Sequence, residues 1–153
     1  MTAQIKITNS QETLYDRDYY LWLDNTAKLL KAKKFAQLDL ENLIEEIESL
    51  GKSEKRAIKS NLIIVILHLL KWRYQPEKRS NSWKSSIREH RRRIQELLTD
   101  SPSLKNYLPE ILADCYLAAK KQASDETGLS IVAFPDESPF SLTECLDENF
   151  LID

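Results

Sequence analysis

Glycine is nearly missing from this chain: Gly51 and Gly128 are the only two among 153 residues. Folds rich in tight β-turns are disfavoured, and so are phosphate loops, which need backbone without a Cβ close to the ligand. Cysteine is equally scarce. Cys115 and Cys145 stand too far apart for a metal or redox pair by spacing and read as small buried hydrophobes of a reduced, cytoplasmic protein. The longest apolar run, residues 62–70, is too short to span a bilayer and contains His68. Residues 1–11 lack an apolar core, which predicts no secretion signal. Neither His-Glu-x-x-His nor Glu-x-x-His occurs, so the two commonest histidine-based metal spacings on helices are missing.

What is present is helical periodicity. Residues 1–12 show no period and are expected to be a loose tail, leaving 13–153 as one domain. A first helix is expected over about 16–33, where Tyr19, Trp22, Leu23, Ala27 and Leu30 share a face. Asp39 suits the next N-cap, and Leu40, Leu43, Ile44, Ile47 and Leu50 form a stripe behind it. Gly51 either caps this helix or lies inside a longer, bent one.

A third helix over 53–74 is apolar all round in its second half and should be the central element, with Leu62, Val65, Ile66, Leu69 and Trp72 buried. Pro76 stops it. A fourth, from the 80–82 caps to about 99, has a core face of Trp83, Ile87, His90, Ile94 and Leu97 or Leu98, with Arg91, Arg92 and Arg93 off that face. Pro109 fits the first turn of a fifth, and Gly128 its end. Residues 129–134 read as a strap or one short strand. Ser141 and Glu144 make a capping box for a short last helix, with Phe140 and Cys145 as its staple. The fold class expected is all-α, a bundle of four or five main helices with an extended C-terminal strap and a short terminal helix.

Three stretches carry a family likeness: DLENLIEEIESLG (39–51), HLLKWRYQPEKRSNSWKSSIREHRRRIQELLTDSPSL (68–104) and FPDESPFSLTECLDENFLID (134–153). In order and spacing they resemble the "domain of unknown function 29" family, mainly cyanobacterial, bacterial proteins of about this length. The resemblance implies an all-helical fold and brings no activity, cofactor or site residue with it. Its members often carry Gln at the position of His90 and Trp at that of Phe140, which weakens a catalytic reading of His90.

The charge layout is the most informative feature left. Residues 39–48 hold five acids and no base, 52–93 hold 13 bases against three acids, and 122–153 hold eight acids and no base. Cations interleave with aromatics over 71–93, the combination that grips phosphates and stacks bases. Arg73, Lys78, Arg79, Lys84, Arg88, Arg91, Arg92 and Arg93 are the candidate nucleic-acid contacts. The competing reading folds the acidic segments back onto the basic face and keeps Trp72 and Trp83 in the core. The acidic pI of about 5.8 favours the second.

Glu45, Glu48 and His68 are candidate metal ligands if a neighbouring helix brings carboxylates to the imidazole. Glu45-x-x-Glu48 also resembles half of the acidic motif of helical nucleotide pyrophosphatases, but the only matching second half is Glu144-x-x-Asp147, far downstream. The alternative is a structural His68, bonded to one of those carboxylates or to a carbonyl of a neighbouring helix. No Arg stands where the Arg-x(4–6)-His of helical ribonucleases requires one. The favoured function is a non-enzymatic, protein-interaction or regulatory domain that binds a protein partner or itself. Nucleic-acid binding ranks second and a metal-dependent hydrolase third. No cofactor and no membrane contact are expected.

Overall fold

The computed structural model describes residues 13–151, so the expected tail over 1–12 lies outside the described residues. Among the described residues there is no strand. The α-helices are α1 (Leu14–Arg17), α2 (Tyr19–Lys31), α3 (Leu40–Tyr74), α4 (Asn81–Asp100), α5 (Leu108–Thr127) and α6 (Leu142–Leu146). The class is all-α. The chain divides between Leu50 and Gly51 into two compact units, although α3 runs through both.

The first unit corrects the expected 16–33 helix. It is broken at Asp18, whose backbone leaves the helical region at φ −148° and ψ 86°. The Asp18 carboxylate accepts from the Leu21 N–H at 3.0 Å and so starts α2 afresh, while Thr13 caps α1. A short polar side chain that satisfies free N–H groups competes with helix continuation, and here it wins. After a 3-10 turn at Phe35–Gln37, Asp39 opens α3, accepting from the Asn42 backbone N–H at 3.4 Å. The core of this unit is small. Trp22, 4% exposed, is met edge-on by Tyr15 at 4.8 Å, and its indole N–H has no hydrogen-bond partner among the described residues.

Gly51 ends nothing: α3 continues through it for 35 residues. One glycine inside a helix costs about 1 kcal/mol relative to Ala, which good helix formers on both sides offset.

In the second unit the latter half of α3 is the central element, as its apolarity predicts. Ile58, Leu62, Val65, Ile66, Leu69 and Leu70 are fully buried and Trp72 nearly so. The residues from Ile58 to Leu70 share one core with Ile87, Ile94 and Leu98 of α4, with Leu108, Ile111, Cys115, Ala119 and Ala123 of α5, and with Phe134, Phe140 and Cys145. Pro76 opens a 3-10 turn just after α3, Ser80 caps α4 and Pro102 opens a second turn before α5. Gly128 takes φ 74° at the end of α5, a left-handed conformation that costs glycine little. The possible strand at 129–134 is a 3-10 turn at Ile131–Ala133. With no partner strand to receive it, the Ala133 N–H bonds locally to the Ser130 carbonyl at 2.9 Å. The Tyr116 hydroxyl donates to the Pro135 carbonyl and ties this strap to α5. Ser141 and Glu144 form the expected capping box.

Candidate functional site

The basic segment over 71–93 belongs to the end of α3, the following turn and α4. Here the structure corrects the placement of one candidate. Arg91, expected off the core face with Arg92 and Arg93, is only 3% exposed. It falls on the stripe Ile87, Arg91, Ile94, Leu98, one helix position on from His90. Its guanidinium is satisfied by backbone: Nε donates to the Cys145 carbonyl at 2.8 Å, Nη2 to Glu144 at 3.0 Å and Nη1 to Phe150 at 3.1 Å. Burial pulls its pKa down, while the charges of Asp147 and Glu148 work in the opposite direction. Arg91 is therefore the anchor of the C-terminal segment. The preference of charged side chains for water pointed the other way, and no short-range signal marks a bond to carbonyls more than fifty residues on.

Most of the other candidates are engaged within the protein. Arg92 and Arg93 both bond the Glu89 carboxylate, at 2.7 and 3.0 Å, and Arg92 also pairs with Glu96. Those two guanidiniums hold the Glu89 carboxyl down to about 2. Arg79 stands 4.9 Å from the ring centre of Trp72 and donates to the Trp72 carbonyl at 2.8 Å. Arg73 lies 4.5 Å over Phe140. Lys71 sits 4.7 Å over Trp83 and 3.6 Å from Glu126. The aromatics that could stack on bases are thus partly covered by cations of the same chain. Lys84 and Arg88 line a shallow depression on α4 with Asn81, Ser85, Glu89 and Arg92. Together with Lys78 they form no ion pair among the described residues.

Glu45, Glu48 and His68 do not lie on neighbouring helices. All three are on α3, with more than five turns of that one helix between the carboxylates and the imidazole. Among the described residues no three His, Cys, Asp or Glu side chains gather as a metal would require. The hydrogen bond of His68 also differs from expectation. Its Nδ1 lies 2.9 Å from the Ile64 carbonyl of its own helix. A carbonyl only accepts, so Nδ1 carries the proton and Nε2 the lone pair in the neutral ring. Desolvation lowers the His68 pKa, and Lys71 and His90 act in the same direction, against the Ile64 carbonyl and Glu126. His90 repeats the arrangement, with Nδ1 2.8 Å from the Ser86 carbonyl. Both cysteines are buried, and desolvation pushes their thiols up, Cys115 to about 11 and Cys145 to about 12. Neither is a thiolate nucleophile at neutral pH.

The first unit holds two features that residue spacing did not mark. Tyr15 and Tyr19 both donate to the Glu46 carboxylate, Tyr15 at 2.8 Å. The shared carboxylate pushes the Tyr15 hydroxyl up to about 12, and the two phenols hold Glu46 below its ordinary range. The second is an uncovered apolar face. The stripe of α3 is legible in the sequence, but its exposure is not: Leu40 is 55% exposed, Ile44 53% and Ile47 60%.

Fold and sites together define an all-helical protein in which His68, His90 and Arg91 are bonded to backbone carbonyls and Arg92 and Arg93 to carboxylates. The chain belongs to the family described as domain of unknown function DUF29, whose model matches residues 14–151, nearly the whole chain. No curated protein and no solved structure matches it. No helix among the described residues is long and apolar enough to cross a membrane.

Proposed function

We propose that this protein is a non-enzymatic interaction domain that acts in the cytoplasm by binding protein through the first unit. The observation that carries the reading is the apolar face of α2 and the start of α3, where large side chains stand in solvent. Exposed apolar residues scattered singly need no explanation, but a contiguous patch rimmed by charge marks a binding surface. Two buried free thiols support a reducing compartment. The engagement of Arg79, Arg91, Arg92 and Arg93 within the chain supports ranking nucleic acid below protein as the partner.

The test is capture from a lysate of the native host, with and without nuclease treatment, using the full chain and the Ile44→Glu/Ile47→Glu variant as parallel baits. Both residues are more than half exposed, so the variant should keep its melting curve. The expected result is protein retained by the parent chain and lost by the variant. Retention of nucleic acid alone, abolished by nuclease and indifferent to the variant, would overturn the reading.

A further inference from the structure

Six charged side chains of α3 form a stripe whose sign inverts at its middle. Glu41, Glu45 and Glu48 stand on one side of Leu50, and Lys52, Lys55 and Lys59 on the other. The spacing is palindromic. Glu48 and Lys52 lie two residues from Leu50, Glu45 and Lys55 five, and Glu41 and Lys59 nine. Because α3 is unbroken from Leu40 to Tyr74, at 100° per residue all six fall within about 80° of one another, along about 27 Å of one helix face. Five of them are exposed and Lys59 is half-buried. Arg56, also exposed, borders the basic half.

The stripe does not serve the helix that carries it. Charges that stabilise a helix alternate in sign at spacings of three and four. Here Glu41 and Glu45, Glu45 and Glu48, Lys52 and Lys55, and Lys55 and Lys59 set like charges at those spacings, which is destabilising. Glu48 and Lys52 are opposite neighbours, yet among the described residues none of the six enters an ion pair. Lys55 stands 5.0 Å over the Tyr107 ring, a contact that leaves its charge without a carboxylate. The helix dipole favours Glu41 in the first turn, but that effect fades within a turn and does not reach the charges further in.

We infer that this stripe binds the same stripe of a second copy, the two α3 helices lying antiparallel and crossing at the level of Leu50. In that register Glu41 meets Lys59 of the other copy, Glu45 meets Lys55 and Glu48 meets Lys52, each twice by symmetry. A parallel pairing sets acid on acid and base on base, so charge fixes the direction. A polyanion such as nucleic acid, laid along Lys52 to Lys59, runs into Glu48 one turn on, whereas a second copy uses both halves. The apolar face of Leu40, Ile44 and Ile47 lies about a quarter turn round the helix. This pairing therefore goes beyond the protein capture proposed above and stands or falls separately from it. Exposed ion pairs contribute little singly, so the association is weak and falls steeply with salt.

The experiment is sedimentation velocity on the full chain from about 5 to about 500 μM, in about 20 mM and about 500 mM salt. Two variants each invert one half of the stripe: Glu41→Lys/Glu45→Lys/Glu48→Lys and Lys52→Glu/Lys55→Glu/Lys59→Glu. Circular dichroism melts check that both stay folded. The expected result is a parent dimer at low salt that dissociates at high salt, with each variant alone weakened about tenfold or more. An equal mixture of the two variants should associate at least as tightly as the parent, because one stripe is then all basic and the other all acidic. Loss of folding could not mimic that rescue. A parent monomeric throughout at low salt, a dimer indifferent to both inversions, or a mixture that stays monomeric while both variants melt like the parent would overturn the assignment. A monomeric parent that binds a single-stranded oligonucleotide of about 20 nucleotides, with binding lost in the lysine variant, would overturn it in favour of a polyanion on the basic half.

Discussion

Replacing Arg91 by Ala removes three hydrogen bonds at once, to the carbonyls of Glu144, Cys145 and Phe150. The residue is 3% exposed, so water does not simply replace the guanidinium. A hydrogen bond to a charged group contributes about 1.5–3 kcal/mol net, and a buried acceptor left unpaired costs about 1–3 kcal/mol. The three bonds are not additive, because one guanidinium makes them all and removing it also relieves its own desolvation. We expect a loss of about 3–5 kcal/mol. For a chain of this length each kcal/mol lowers the melting temperature by about 2–4 °C, so Arg91→Ala should melt about 6–20 °C below the parent.

Arg91→Lys keeps the charge but not the planar fork, and should fall between the two. Limited proteolysis supplies the spatial readout. If Arg91 anchors the C-terminal segment, cleavage in and after α6 should appear in Arg91→Ala well below its melting temperature. A melt within about 2 °C of the parent, with unchanged proteolysis, would refute the anchoring role.

Three further outcomes follow from the same structure. Val65→Asp buries an unpaired carboxylate at a site with no exposure and should leave the chain unfolded or insoluble, as read by circular dichroism and solubility. His68 is held below its ordinary 6.5, so the unfolded chain binds its proton more tightly than the folded one. Its contribution is present in full above that value and is lost as pH falls toward the folded pKa; urea titrations in that window should show His68→Gln with a flatter stability–pH curve than the parent. Gly51→Ala places a methyl in open space within a continuous helix and should stabilise by about 0.5–1 kcal/mol in thermal melts, whereas a left-handed cap would have been strained by it.

Local rules were sufficient wherever a residue acts on its neighbours. The 3.6-residue period located the helical segments, though not the break at Asp18 or the continuity through Gly51. Pro76, Ser80 and Gly128 fixed ends, because a missing N–H, a capping hydroxyl and a left-handed glycine act within a few residues. The total apolarity around Val65 placed it at the centre for the same reason. Two local signals were ambiguous at their own scale: Asp18 suits a helix's first turn and equally a new cap, and Gly51 a terminus or an interior. Hydrogen bonds to Leu21 and the helix formers beyond Gly51 decided them.

Local pattern thus sufficed for the all-α class, the helical segments from Leu40 onward apart from the continuity at Gly51, and the principal core. Tertiary structure decided which stripes are covered and which charges are spent. Arg91 reads as surface because a lone guanidinium prefers water, and it is buried because three carbonyls from a distant segment replace that water. Ile44 and Ile47 read as part of an apolar stripe, whose cover the local pattern does not name, and in the first unit they are exposed. A helical stripe records only that a face seeks cover; what covers it, or leaves it open for another molecule, depends on residues far away in the chain or outside it.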